Sequence, residues 1–290
     1  MPGPGLYELV AGWPAIIAVC NGAKFADLPA ILQAGGFTAH SLILESPRQP
    51  APRSGPWMLP LSPERLGQFL SIPGMQPSCV LWGGVSDPGV AFQHFRRINR
   101  ARIVNDEKQP ESVLFRHWDN ETLGLMLPLM TPAQKARLFG PFERAAFFVE
   151  DAEGGVVALR ESGTAPADDA RRGPIHFDAS QMATIEAGML ARSDRKIARY
   201  LRRNAAAHTG PADDEALQRY VGDCRAQAGA WGITSESGIG RFAWLQLVTQ
   251  GRFAGMPEVH ALMTAPSTAT PDRKLKYLMQ RMSRQAQGLD

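Results

Sequence analysis

The sequence predicts an α/β N-terminal lobe with a mixed sheet, followed by an all-α C-terminal lobe. Three observations carry this. From residue 7 to about 161, short apolar β-type runs alternate with short helical patterns, as expected of strands packed beneath helices. From Ser162 to Pro174 the composition turns to Gly, Ala, Pro and Asp with almost nothing apolar, and the stretch 162–178 reads as a linker. Beyond it, apolar residues recur at helical spacing only. The predicted units are an α/β domain over 1–161, the linker 162–178 and a helical lobe over 179–290.

The elements follow in order. Ala15–Cys20 is continuously apolar and rich in β-branched residues, the signature of a strand buried on both faces. Asp27 caps a helix beginning Leu28-Pro29 that Gly35-Gly36 ends. Ser41–Glu45 reads as a strand, and Ser46–Gly55, with three prolines, as a loop. Trp57–Leu61 is a strand, followed by a Ser62-Pro63-Glu64 helix start. Cys79–Trp82 is a strand closed by Gly83-Gly84, and Asp87-Pro88 opens the next helix. Arg102–Val104 and Ser112–Trp118 read as strands. Helices follow over Glu121–Leu127 and from Thr131-Pro132 to Phe139-Gly140. Ala145–Glu150 and Val156–Arg160 flank Glu153-Gly154-Gly155 as a hairpin. In the second lobe, helical spacing runs through Met182–Leu201 and Ala216–Trp231. It continues through Ile239–Val248, apolar on nearly all sides and so central, and then Pro257–Met263 and Leu275–Met282.

Composition narrows the function classes. The 290 residues hold 31 Lys+Arg against 28 Asp+Glu, a net charge of +3, which excludes attachment to nucleic acid or anionic lipid by bulk charge alone. Cys20, Cys79 and Cys224 are scattered, without CxxC spacing. That argues against a disulfide framework or a zinc cluster and fits a reducing compartment. The apolar run Ala15–Cys20 is too short to span a bilayer and lacks a basic leader, so the expectation is a cytoplasmic protein that does not engage membranes.

Motifs for chemistry are sparse. No GxSxG, HExxH, Walker A or EF-hand pattern occurs. Gly238-Ile239-Gly240 lacks the third glycine of a dinucleotide fingerprint and lies within a helical pattern. Two His-x-Asp pairs, His117/Asp119 and His176/Asp178, have spacing that would share one strand face and could ligate a metal. Asp119 and Asp178, however, each precede a helix and read better as caps. Cys79 reads as a small core residue, not a nucleophile. The expectation is no catalytic residue, no metal and no cofactor. One basic cluster, Arg96-Arg97-Asn99-Arg100-Arg102, closes the Asp87 helix, where cations suit the helix dipole. Another places Arg192, Arg195, Arg199 and Arg202 along one helical stripe. It is read as a solvated face or as a docking rim for an acidic partner; no aromatic platform for nucleic acid is interleaved with it.

The block Trp82–Phe142 resembles the N-terminal domain of the adaptor chaperones of bacterial type VI secretion, the Tap/Tec type. The resemblance rests on His94-Phe95-Arg96 on a helix, Phe115-Arg116-His117-Trp118-Asp119 as a strand end and turn, and Phe139-Gly140-Pro141-Phe142. Tyr7-Glu8-Leu9-Val10 and Trp57–Leu61 are similar to that family's first and third strand regions. Ala228-x-x-Trp231-Gly232 with Gly251-x-Phe253 and Met256-Pro257 resembles its helical half. Asp119-Asn120-Glu121 departs from the family's Asp-Pro-Arg and reverses a charge at that turn. The resemblance implies a non-catalytic adaptor chaperone that binds a secreted effector toxin in the cytoplasm and helps load it onto the VgrG spike protein. Trp82, His94, Arg96, Arg116, Asp119 and Pro141 would then be structural, with Arg116 and Asp119 bracing the sheet as a buried ion pair. Two alternatives remain beside it: an enzyme with a site around His94, Arg116 and Asp119, and a nucleic-acid-binding protein using the arginine stripe.

Overall fold

The computed structural model describes residues 5–43, 52–104, 109–149, 156–161 and 173–286. The chain divides into two compact units, Met1–Ile185 and Glu186–Asp290.

The first unit is built on a six-stranded sheet. Its strands are β1 (Ile16–Asn21), β2 (His40–Ser41), β3 (Pro56–Leu61), β4 (Cys79–Gly83), and then β7 (Arg144–Val149) and β8 (Val156–Glu161). They lie in the order β2-β3-β1-β4-β7-β8, with every neighbouring pair antiparallel. Strand β1 is central and wholly buried, and the period-2 alternation of its side chains feeds two cores. Ile17 and Val19, with Met58, Val80, Trp82 and Phe147, point to one. Ile16, Ala18 and Cys20, with Leu59, Leu61, Cys79 and Leu81, point to the other. Helices α1 (Leu6–Val10), α2 (Leu28–Ala34) and α3 (Pro63–Leu70) cover the second core. Helices α4 (Pro88–Arg97), α5 (Asn120–Met126) and α6 (Pro132–Phe139) cover the first. The layers are helix, sheet, helix.

A smaller three-stranded sheet, β6-β5-β9, supplies the mixed pairing. Its strands are β5 (Arg100–Val104), β6 (Pro110–Leu114) and β9 (Ile175–Phe177); β5 is antiparallel to β6 and parallel to β9.

Caps start the helices where the sequence placed them. Asp27 accepts from Ala30 N (3.3 Å), Asp87 from Gly89 N (2.7 Å) and Asp119 from Thr122 N (3.0 Å). Thr131 and Gln134 form a reciprocal capping box at α6. The arms of the expected hairpin pair as β7 and β8, while its turn, Glu153-Gly154-Gly155, lies outside the described residues, as does 46–51 of the expected proline-rich loop.

Three local expectations change. The strand expected over Ser112–Trp118 stops at Leu114, because the next residues bond within a turn, His117 N to Phe115 O and Asp119 N to Arg116 O (both 3.0 Å). The strand expected over Ser41–Glu45 is the two-residue β2, with residues 44 and 45 outside the described ones. Within the expected linker 162–178, residues 162–172 lie outside the described residues. Its end is not linker at all, since Ile175–Phe177 pairs with β5 and buries Ile175 and Phe177 in the first core.

The helix α7 (Ala179–Asn204) begins in the first unit, where Ile185 joins the core. In the second unit come α8 (Ala206–Thr209), α9 (Asp214–Gly229), α10 (Glu236–Val248), α11 (Pro257–Thr264) and α12 (Pro271–Ala286). Helix α10 is central, as its apolar sequence predicts. Ile239, Phe242, Ala243 and Leu245 are buried among Ile197 and Leu201 of α7, Val221 and Cys224 of α9, and Leu275 and Leu278 of α12. Phe242, Phe253 and Trp231 form edge-on ring contacts at 5.7–6.4 Å.

Candidate functional site

The motif residues converge on one aromatic cluster beneath α4. Trp82, fully buried on β4, has ring centroids 5.4 Å from each of Phe95, Phe139 and Phe142. Phe95 stacks on Phe142 at 4.9 Å and on His117 at 5.2 Å. His94 packs edge-on against Phe95 and Phe142, and its Nε2 donates to Leu138 O at 2.8 Å. That bond ties α4 to the end of α6. Gly140 closes the arrangement. Its φ of +54° suits glycine, and a Cβ there would lie 2.2 Å from His94 Cε1. The Phe139-Gly140-Pro141-Phe142 motif is thus a turn moulded to the histidine ring, with Pro141 exposed outside it.

The Phe115–Asp119 turn supplies the polar half. Asp119, 6% exposed, accepts from Asn21 Nδ2 (2.9 Å) at the end of β1. It also accepts from Thr122 N and Oγ1 (3.0 and 3.1 Å) at the start of α5. Arg116 reaches its Oδ2 at 3.3 Å but stays 48% exposed. The expected sheet brace is therefore the Asn21–Asp119 hydrogen bond, and the Arg116–Asp119 pair is a local, half-open one. His117 is fully buried, and its Nε2 donates to Asn99 Oδ1 (2.9 Å) while Asn99 Nδ2 donates to Leu42 O (2.8 Å).

Burial sets the protonation of these groups. It pushes His94 down to about 4, against the opposing pull of the Leu138 carbonyl and with help from Arg137 and Arg97. It pushes His117 down to about 3, with His94 adding to the effect. Both rings are neutral at pH 7. Cys79 and Cys20 are fully buried, and burial raises both thiols far above their usual range.

The structure does not assemble His94, Arg116 and Asp119 as a reacting constellation: His94 Nε2 is engaged with a carbonyl, and Asp119 with an amide, a cap and Arg116. The second His-x-Asp pair also separates. His176 is exposed on β9, while Asp178 exchanges cap bonds with Gln181, Oδ1 accepting from Gln181 N at 2.8 Å. Among the described residues, no three His, Cys, Asp or Glu gather as a metal set. Arg96 lies over the Phe92 ring at 5.2 Å, a half-buried cation–π pair.

The arginine stripe on α7 is less open than its spacing suggests. Arg192, Arg195, Arg199 and Arg202 are all half-buried. Arg202 donates to Asp214 (2.7 Å) and to Ala212 O (2.8 Å), fastening α9 to α7. On the same helix Asp194 pairs with Arg225, and Lys196 with Glu236.

Sequence reasoning missed the roles of Asn21 and Asn99, and marked Gly140 as part of a motif without its partner. Asn21 meets Asp119 across 98 residues and Asn99 meets Leu42 across 57, while the ring seated on Gly140 comes from another helix, so no local pattern shows these contacts. The one signal for Asn21 is a polar residue directly ending a fully apolar strand.

Residues 17–137 match a protein-family model described as Domain of unknown function (DUF4123). The match covers β1 through most of α6, and so holds Trp82, His94, Arg96, Arg116 and Asp119 but not Pro141. Neither the curated proteins nor the solved structures contain a match to the chain. No helix among the described residues is long and apolar enough to cross a membrane.

Proposed function

We propose that the chain is a non-catalytic adaptor chaperone of type VI secretion, of the Tap/Tec type. In this reading it binds an effector toxin in the cytoplasm and helps load it onto the VgrG spike. The observation that carries the reading is the family match over 17–137, because that domain family is associated with type VI effector adaptors. The match takes in residues 82–137 of the block that carries the motif resemblance.

The geometry supports a binding role over a reacting one. The groups that chemistry would need are consumed by packing: a neutral buried His94 on a carbonyl and a saturated, buried Asp119. A general base must reach the proton it abstracts, and His94 Nε2 is taken up by Leu138 O. These residues build a rigid scaffold, and a scaffold suits a protein whose task is to present a surface and then release its cargo.

The test is co-expression with the effector encoded beside this chain. A soluble complex and a raised soluble yield of the effector are expected. An effector whose yield and solubility are unchanged would overturn the reading.

A further inference from the structure

The second unit carries a surface that the arginine stripe does not include. A pocket of about 280 Å³ opens between α7 and α10, lined by Lys196, Ile197, Tyr200, Glu236, Gly240 and Arg241. A wider depression, lined by Arg241, Lys276, Met279, Gln280 and Arg284, lies between α10 and α12. Arg241 lines both, so the two adjoin at that side chain and are taken together as the α7–α10–α12 groove. The pocket has an apolar floor of Ile197, the Tyr200 ring and the bare backbone of Gly240, where a Cβ would meet nothing nearer than Ile197 at 3.8 Å. Its volume is at the lower edge of the roughly 300–1,000 Å³ of small-molecule sites. That is room for one large apolar side chain.

The α12 side of this groove is lined by cations without an acid among them, Lys276 and Arg284 beside Arg241. On α12, Arg273, Lys276, Arg281 and Arg284 are exposed, along with Tyr277 at 55%. Spacing of three, four and seven puts Arg273, Lys276, Gln280 and Arg284 along one face, about 16 Å long at the helical rise. Among the described residues, the carboxylates on the rim are already engaged: Glu236 with Lys196 at 2.6 Å, and Asp272 with Ser235 and, at 4.0 Å, Arg241. An occupant that matches must bring carboxylates to Lys276 and Arg284, with Arg241 beside them only loosely held by Asp272 at 4.0 Å, and one apolar anchor to the pocket. Membrane lipid does not fit, because Leu275 and Leu278, the apolar side of α12, are buried in the core and leave nothing to insert. Nucleic acid lacks its stacking platform, since Tyr277 is the one exposed aromatic among the described residues of α12.

We infer that the α7–α10–α12 groove is a docking site for an acidic, amphipathic segment of a partner protein, with one large apolar side chain seated over Gly240. This deepens the adaptor reading by stating the chemistry of a segment the adaptor holds, and its test does not need the effector.

The full chain is immobilised and panned with a displayed library of random 16-residue peptides. Enriched peptides should carry one large apolar residue flanked by Asp or Glu. The best of them, labelled with fluorescein, is then titrated against two variants. Arg241→Glu/Lys276→Glu/Arg284→Glu changes mainly exposed side chains and should weaken binding about tenfold or more, with the wild-type interaction loosening as salt rises. Gly240→Leu fills the pocket without touching charge, and exchanging a helical glycine favours the helix; it should weaken binding by a similar factor with the salt dependence preserved. Circular dichroism and melting confirm that both variants are folded. Peptides without acidic residues, equal enrichment on the charge-reversed chain, undiminished binding to Gly240→Leu, or tighter binding of a 20-mer oligonucleotide or of phosphatidylserine vesicles would each overturn the inference. If the library result holds while co-expression with the effector fails, the groove stands and the adaptor reading falls; the reverse outcome removes the groove alone.

Discussion

The Asn21–Asp119 hydrogen bond joins the end of the central strand to the first turn of α5 across 98 residues of sequence, wholly within the buried region. Exchanging Asp119→Asn tests it without changing volume. The new amide must present its NH₂ either to the NH₂ of Asn21 or to Thr122 N, because Asp119 now accepts on both oxygens. Rotating the amide only moves the conflict from the brace to the cap. A buried donor left without an acceptor costs about 1–3 kcal/mol, and the half-exposed pair with Arg116 adds little. For a unit of this size about 2 kcal/mol corresponds to a fall in Tm of roughly 4–8 °C. Asn21→Asp alone should cost more, since it sets two carboxylates side by side in a buried site. The swap Asn21→Asp/Asp119→Asn restores one donor facing one acceptor. The carboxylate that Asn21→Asp introduces could still accept from Ala23 N, as the Asn21 amide oxygen does at 3.2 Å. The double variant should therefore recover, with a coupling energy of about 1–3 kcal/mol. Urea titration followed by tryptophan emission gives the four stabilities. Additive losses, or an Asp119→Asn protein as stable as the parent, would refute the brace.

Three further outcomes follow from the same geometry. Gly140→Ala places a Cβ 2.2 Å from His94 Cε1 on a backbone at φ +54°; strain and the displaced His94–Leu138 bond should together cost about 3 kcal/mol, and a melt within about 2 °C of the parent, on the order of a 0.5 kcal/mol effect, would contradict this. Stability should fall on acidification. His94 and His117 are held at about 4 and about 3 against an ordinary 6.5, so the unfolded chain binds protons first and the loss runs from pH 6.5 down through 4, by roughly 3 kcal/mol for His94. His94→Gln should flatten that slope in urea titrations between about pH 4 and 7, and an unchanged slope would refute the assignment. Arg202→Glu sets two acids against each other at Asp214 and removes the bond to Ala212 O; a loss of about 1 kcal/mol in urea midpoint analysis is expected, and no loss would mean that the fastening is idle.

Local signals in the sequence carried local structure. The unbroken apolar run at 15–20 became the central strand, and Asp27, Asp87, Asp119 and Asp178 became caps because each sits directly before a helix-compatible stretch. Helical periodicity alone placed α9, α10 and the centrality of α10. What pairing decides at a distance was not legible. Strands alternating with helices suggest parallel neighbours, yet every neighbouring pair in the large sheet is antiparallel, a choice made by contacts such as Ala18 facing both Leu59 and Leu81. Ile175–Phe177 is too short to show a period and becomes a strand only by joining β5. The site divides the same way. His94, Trp82 and the Phe139–Phe142 turn stood out as a motif, but their meaning lies in a ring seated on Gly140 and a carbonyl 44 residues away. The arginine stripe is real in spacing, while the engagement of Arg202 by Asp214 depends on how α9 folds back on α7.

The most direct test of the adaptor account is size-exclusion chromatography with light scattering on the chain purified together with a candidate type VI effector, before and after VgrG is added. The account predicts co-elution of chain and effector at the summed mass, and a shift of the effector to the VgrG peak when the spike protein is present. Separate elution of the chain from both proteins, with the chain folded by circular dichroism, would contradict it.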